Sequence, residues 1–517
     1  MSTTGYSSRV QNTTSSLNAE SFLNPKILFL GEKTSAGTAT SGKLVENIVS
    51  KTNAKTLFGT RSPLYQGLDM VLSIINPNGI SRFAGDYKVI VNAIPYSITG
   101  NVGVKKIALT GTPINGKIEL YVSSQYKYTI SITTTSTDTL SQIATKIADA
   151  LNAFTDIPVI ASVVDNDVII TAYTAGTWFN ECNIEVLTNT SALTFVITQT
   201  TAGTGDLDLS TFTEEIKDKK FDFIYIPSHL ITTQIKEFIA NRINILNNID
   251  YAGQVISSKI DTVANIKILR QNFKTDIGFG FIAQKTNCHL ELPVETVGRY
   301  MIQRTNKNTQ DAGITDYVPH AEITSGRGNP SYRTTAMSDN ILLRCPVLRN
   351  NFTKEELLEL KNEGFILMEN NDNNTAVVYG SDLTTYSETL EGNVALMRDV
   401  ANWDTMTAIS SSLLTTTMQF KGKTITTGAP EPNTQQISIG DIANVIRAWF
   451  LKMSSKDEVT GITYGLIPKD PSVFKAFNET LERTLKLNVT SGQISFDVIC
   501  AIITPLKEML INVNYKK

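Results

Sequence analysis

The chain has 517 residues, 41% hydrophobic and 18% charged, with a formal net charge of −3. That length holds three or four domains of ordinary size, about 100–200 residues each, and the near-neutral charge argues against a nucleic-acid surface as the main business of the chain. No apolar run reaches the roughly 18–20 residues of a membrane span, and the N-terminus MSTTGYSSRV has no signal-peptide core, so a soluble cytoplasmic product is expected.

Residues 1–22 are mostly Ser, Thr and Asn, with Tyr6 and Val10 isolated among them; they cannot bury a core and read as an extended arm. Residues 25–31 (PKILFLG) are a buried strand closing on glycine. A Thr/Ala/Gly/Ser-rich loop, 32–42, leads through Leu44, Val45, Ile48 and Val49 to the stretch LFGTRSPLYQGLDMVLSIINP at 57–77. There Ser62 is a suitable N-cap and Pro63 suits the first helical position, where its missing N–H costs nothing. Leu64, Leu68, Val71, Leu72 and Ile75 put one apolar stripe on the helix, and Asn76-Pro77-Asn78-Gly79 ends it. The polar segment before Phe58-Gly59 reads as a sharp entry loop. A second strand, 87–95, completes a β–α–β unit, the start of an α/β layer.

The texture then changes. Residues 105–109 and 117–122 read as a hairpin around Gly111–Gly116, with Asn115-Gly116 in its turn. Residues 126–133 are a further strand. Thr137 or Asp138 is expected to cap a helix whose face carries Leu140, Ile143, Ala144, Ile147, Ala148 and Leu151. A hairpin around Asp165-Asn166-Asp167 and strands at 184–187 and 193–198 follow. Residues 97–205 therefore read as a self-contained α+β module inserted into the α/β layer, which resumes at the apolar run FDFIYIP, 221–227. A helix at 233–247, a strand near 253–257, a helix near 264–272 and a strand at 277–283 are expected, and Arg344 to Val347 ends this half. Thr353 with Glu356 makes a capping box for a helix closed by Gly364. Two paired strands (365–369, 376–379), a long helix at 393–416, a Gly/Pro loop at 422–433 and helices at 439–453 and 472–483 follow. Leu510, Ile511, Val513 and Tyr515 near the end read as an unpartnered terminal strand.

The sequence carries no catalytic constellation. Gly111-Thr-Pro-Ile-Asn-Gly116-Lys117 matches a phosphate loop for seven positions, but Ile118 stands where a hydroxyl must hold magnesium, so a turn is the better reading. Gly278-Phe-Gly280-Phe-Ile-Ala283 resembles a dinucleotide fingerprint, yet its apolar filling reads as strand. The three histidines, His229, His289 and His320, accompany no HExxH or GxSxG; His229 reads as a helix-entry residue and the others as loop residues. The four cysteines (Cys182, Cys288, Cys345, Cys500) are scattered, with no CxxC. Glu214-Glu215 and Glu355-Glu356 suit first turns of helices. No catalytic, cofactor-binding or metal-binding residue is assigned, and no enzymatic activity is expected.

The strand Ile27–Gly31, the run Phe58-Gly59-Thr60-Arg61-Ser62-Pro63-Leu64 through Asn76-Pro77, and Ala93-Ile94-Pro95 together resemble the contractile tail sheath proteins of myophages, the Mu-like and P2-like branch above all. Inside the module, Ile157-Pro158-Val159 and Thr171-Ala172-Tyr173-Thr174-Ala175-Gly176-Thr177 are similar in order to that branch. The N-terminal arm departs from the family's Pro-Gly-Val-Tyr, and Leu396–Asp399 matches its Arg-x-x-Asp-Tyr only loosely.

The resemblance implies a multidomain α/β and α+β fold. Its parts would be an N-terminal arm (1–22), a subtilisin-like α/β layer in two pieces (23–96 and 206–347), an outward-facing inserted module (97–205), a tube-proximal C-terminal α+β sheath domain (348–507) and a strand arm (508–517). The subtilase string Gly-Thr-Ser-Met-Ala is absent. The implied function is a virion structural subunit, assembled in the host cytoplasm, that polymerises as stacked hexameric rings in the phage tail. Its contraction would drive the tube through the host envelope for genome ejection. The implied partners are other copies of the chain, a tail tube protein, and baseplate and tail terminator proteins, with no nucleic acid, membrane span or cofactor. Arms carrying Tyr6, Val10, Leu510, Ile511, Val513 and Tyr515 would tie neighbours by strand addition. Another self-assembling virion or surface-lattice protein, and more remotely a subtilisin-like hydrolase, remain the alternatives.

Overall fold

The computed structural model describes residues 26–75, 89–122, 126–205, 221–230, 254–273, 279–285, 352–370, 376–378, 422–426, 435–454, 467–488 and 493–501, with scattered positions between them. The arm residues Tyr6, Val10, Leu510, Ile511, Val513 and Tyr515 lie outside the described residues. So do His289, His320, the segments expected at 233–247 and 344–347, and most of 393–416.

Strand β1 (Lys26–Glu32) is apolar on both faces, as a central parallel strand must be. Ile27 and Phe29 join one core and Leu28 and Leu30 the other. Helix α1 (Lys51–Phe58) occupies the polar segment expected as a loop. Ser50 caps it by accepting from Asn53 N at 3.1 Å, and it buries Ala54 and Phe58, one turn apart, a stripe too short to stand out in sequence. Gly59, at φ +85°, ends it. Helix α2 (Pro63–Ile75) starts as expected, with Ser62 Oγ accepting from Tyr65 N at 2.8 Å, and Leu64, Leu68, Val71 and Leu72 are buried. It lies so close to β1 that a Cβ on Gly31 would stand 2.9 Å from that of Leu64. Strand β2 (Ile90–Tyr96) pairs with β1 in parallel, Lys26 opposite Ile90 through Glu32 opposite Tyr96. The outer edge of β2 is covered by residues 42–48, where Gly42 N, Val45 N and Ile48 N each donate at 2.8 Å to Pro95, Ala93 and Val91 carbonyls.

The chain then leaves the sheet and comes back along a stem, where Thr204 N donates to Asn101 O (3.0 Å) and Asn101 N to Thr204 Oγ1 (2.9 Å). Between lie β3 (Val104–Gly111), β4 (Gly116–Val122), β5 (Thr129–Thr134), α3 (Leu140–Asn152), β6 (Val159–Val164), β7 (Asp167–Ala172), β8 (Ile184–Asn189) and β9 (Leu193–Thr201). They form two antiparallel sheets, β6-β7-β3-β9 and β5-β4-β8, around a core of their own that includes Ile107, Leu120, Ile143, Ile147 and Val168.

Two expectations are corrected here. β3 and β4 are not a hairpin, since they belong to different sheets. The kink is at Gly111 (φ +107°), while Asn115 and Gly116 keep negative φ and cannot form the primed turn that an Asn-Gly hairpin uses. Helix α3 is capped by Thr139 in a reciprocal box with Gln142, and Asp138 instead accepts from Thr135 N one turn earlier. The hairpin around Asp165 forms as read, with Asp165 at φ +55°.

The α/β layer resumes with β10 (Phe223–Tyr225), β11 (Gln254–Ile260), α4 (Val263–Phe273) and β12 (Phe279–Gln284). The dinucleotide-like string is thus strand, as read. The parallel sheet has the order β12-β11-β10-β1-β2, so the winding reverses between β1 and β10. Strand β13 (Leu342–Leu343) and helix α5 (Lys354–Asn362) follow, the latter with the expected Thr353–Glu356 box. The chain then extends the sheet beyond β12 through Ile366, whose N donates to Phe281 O at 2.7 Å. Helices α1 and α2 cover one face; α4 and α5, through Ile266, Leu357 and Leu360, cover the other. Strands β14 (Met368–Asn370) and β15 (Ala376–Val378) pair antiparallel as read.

In the C-terminal part, β16 (Thr424–Thr426) lies where only a loop was expected, paired in parallel with β17 (Gln436–Ser438). Helices α6 (Ile439–Ser454) and α7 (Pro471–Thr484), and the pair β18 (Lys486–Asn488) and β19 (Gln493–Ser495), complete it. Ile446, Trp449, Phe450 and Phe477 form its core. Among the described residues no helix is long and apolar enough to cross a membrane.

Candidate functional site at the sheet switch point

In an open α/β sheet, ligands bind outside the carboxyl ends of the strands where the winding reverses. Here that point lies beyond β1 and β10, and each strand ends on an ionisable side chain. Glu32 is the last residue of β1, and His229 follows β10 through Ile226, Pro227 and Ser228. Nε2 of His229 meets Oε1 of Glu32 at 2.7 Å, with side-chain exposures of 3% and 1%. His229 sits in a 3-10 turn (Ser228–Leu230) with its side chain buried and paired, and the helix it was expected to enter lies outside the described residues.

The other side of this point belongs to the inserted module. Gly176, at φ +120°, turns the chain into a 3-10 turn (Thr177–Asn180) that brings Trp178 and Phe179 inside, both fully buried. A Cβ on Gly176 would lie within 3.5 Å of Ile98, Trp178 and Glu32 atoms. Asn180 fixes the turn on the stem, accepting from Gly203 N (2.8 Å) and donating to Gly203 O (3.0 Å). Lys105 donates to the Cys182 carbonyl and lies 5.3 Å from the Phe179 ring centroid; burial lowers its pKa. The next residue, Glu181, reaches across to the sheet, accepting from Ser228 Oγ and from Lys259 Nζ (3.3 Å). Burial first, then the charges of Glu32 and Glu181, raise the Tyr225 phenol well above its usual range.

The adjacent Ser228 and His229 therefore serve different carboxylates, which is not the relay of a serine hydrolase. Among the described residues no group of three His, Cys, Asp or Glu is placed to hold a metal ion. Side chains of the same chain, Trp178 among them, narrow the crevice to a cavity of about 20 Å3.

A second contact joins the module to α2. Arg61 donates to Val159 O (2.9 Å) and lies 5.3 Å from the Tyr173 ring centroid, and Gln66 donates to Asp156 O (2.7 Å). Lys127 of the module lies between Asp156 (2.7 Å) and Asp69 (3.5 Å). Tyr121 from β4 enters the sheet's core, with Leu187 from β8 packed against it. Burial and the charges of Asp69 and Asp156 push Tyr65 up to about 12.

Of these residues, sequence reasoning singled out His229 and missed Glu32, Trp178, Glu181, Ser228 and Lys259 as a group. A usable signal was present: two fully apolar strands each run into an ionisable residue, which is where a parallel sheet places its switch point.

No protein-family model matches the chain, and no curated protein matches it. Among solved structures it is similar to a sheath tail protein from Listeria innocua, at 10% identity and TM-score 0.40, covering 84% of this chain and 87% of that one. A sheath tail protein from Desulfitobacterium hafniense gives 10%, 0.40, 87% and 90%. A chain of the anti-feeding prophage baseplate gives 10%, 0.44, 100% and 100%. At TM-scores of 0.40–0.44 these likenesses leave the function to be argued from the chain's own residues.

Proposed function

We propose that this chain is the structural subunit of a contractile phage tail sheath, a non-enzymatic protein that polymerises as stacked hexameric rings around a tail tube. The observation that carries the reading is the switch point, narrowed by the chain's own side chains to a space for about one water molecule. Where a doubly wound enzyme leaves a crevice for its substrate, this chain places its own Trp178 and Glu181, turning the sheet into a scaffold. The residues behind the sheath resemblance also lie at organising positions. Ile27–Gly31 lies in an interior strand at the switch point, Phe58–Leu64 joins α1 to α2, and Ala93-Ile94-Pro95 lies in the strand from which the module departs.

In this reading the α/β layer (23–96 and 206–347) corresponds to the family's subtilisin-like layer of the Mu-like and P2-like branch. The module (97–205) faces outward, and 348–507 lies nearer the tube. The arms 1–22 and 508–517 exchange strands between copies through Tyr6, Val10, Leu510, Ile511, Val513 and Tyr515. Main-chain ladders survive rigid-body rotation of the bodies they link, so the lattice shortens and widens without losing its ties. Tube, baseplate and terminator proteins are its partners in the virion tail.

Negative-stain microscopy of the purified chain tests this. Wide hollow cylinders, extended or contracted, are expected; narrow tubes, flat lattices or monodisperse monomers would contradict it and favour another lattice protein. Removing residues 508–517 is expected to abolish polymers, and polymers at normal yield would rule out the C-terminal tie.

A further inference from the structure

Between the Glu32–His229 pair and helix α2 lies a cavity of about 20 Å3, lined by Glu32, His229, Tyr225, Trp178, Leu64 and Gly67 among others. About one water molecule fits such a space, since a site needs roughly 10–15 Å3 on this measure. Its polar edge is unusual. Oε1 of Glu32 is engaged by His229, but Oε2 of the same carboxylate is fully buried with no donor among the described residues. A buried carboxylate oxygen left without a donor bears its full desolvation penalty, and buried polar groups in native proteins are satisfied by protein or by ordered water.

We propose that this cavity is a binding site for one structural water molecule, which donates to Oε2 of Glu32. His229 and Tyr225 line the same space, and their imidazole and phenol are the further hydrogen-bonding groups within the lining. The chemistry favours water over a cation. Hard cations take about six or more oxygen ligands, whereas this lining offers one carboxylate oxygen amid Trp178, Leu64 and other apolar groups. The site lies between α2 on one side and the module's Trp178 on the other, so the water belongs to the joint between the two bodies.

A structure of the intact protein, determined where ordered waters are resolved, decides the point. The expected result is one density peak at hydrogen-bond distance from Oε2 of Glu32, unchanged in strength when sodium and potassium are replaced by rubidium. A dry cavity in a map that shows other buried waters would overturn the proposal. So would a peak that strengthens with rubidium, which identifies a cation. In Glu32→Gln, whose amide still offers hydrogen bonds, the peak is expected to stay. In Glu32→Leu it is expected to disappear, and a peak that persists there would assign the site to other groups. Should the leucine variant not fold, the wild-type and glutamine maps still decide.

Discussion

The module meets the sheet in two places, and they use charge differently. On the α2 side the charged pairs are half open to water: Lys127, Asp69 and Asp156 keep between 17% and 39% of their side-chain surface exposed. At the switch point Glu32 and His229 are almost wholly enclosed. Exposed ion pairs contribute about 0–1 kcal/mol each. An enclosed pair can be neutral as a pair, yet removing one partner costs about 3–5 kcal/mol because the other is left uncompensated. The α2 side therefore holds the module through backbone-directed contacts from Arg61 and Gln66, while the switch point holds an enclosed charged pair whose loss costs more. The helix that dominated the sequence is the milder of the two fastenings.

Substitutions can break this contrast, and the largest effect belongs to Trp178. Trp178→Ala removes a fully buried indole and is expected to lower stability by about 3–5 kcal/mol, measured as a fall in the denaturant midpoint of the unassembled chain. His229→Leu comes next, at about 3 kcal/mol, for stranding Glu32 in the interior. The double variant Glu32→Leu with His229→Leu is expected to lose less than the sum of the singles, and an additive cycle would deny the coupling. On the α2 side Lys127→Ala is expected to shift stability by no more than about 1 kcal/mol and to lose even that in high salt.

A last difference is in pH. Glu185 of β8 is half-buried, hydrogen-bonded to Tyr121, and burial raises its pKa above the ordinary 4.5. A carboxyl raised in the folded state favours folding below its unfolded pKa and loses that contribution as pH rises through the folded value. Glu185→Gln is therefore expected to stabilise the chain at neutral pH and to do nothing below the ordinary value; equal gains at both pH values would show that the charge is not the cause.

Much of this fold could be read without coordinates, and the failures have physical causes. The strands β1 and β2, the Ser62 cap, the Asp165 hairpin and the Thr353–Glu356 box rest on local chemistry, which a single sequence carries. Helix α1 escaped because its stability comes from Ala54 and Phe58 meeting α2, a tertiary effect. The false β3–β4 hairpin came from an Asn-Gly pair whose turn is overruled by Gly111 and by pairing partners about 60 or more residues away. Thr139 was passed over for neighbours equally able to cap. The switch-point cluster draws Glu32, Glu181, Ser228, His229 and Lys259 from four separate stretches, and nothing in their spacing brings them together. The resemblance string ending at Gly176-Thr177 stopped one residue short of the tryptophan that closes the crevice.

If Trp178 plugs the sheet's switch point, its fluorescence reports it directly. The chain has three tryptophans, Trp178, Trp403 and Trp449, so replacing Trp403 and Trp449 by Phe leaves Trp178 as the single reporter. Blue-shifted emission that acrylamide does not quench is expected, turning red and quenchable when His229→Ala is added. Emission already red and freely quenched with His229 in place would mean that the crevice is open, and would contradict the reading of this sheet as a scaffold.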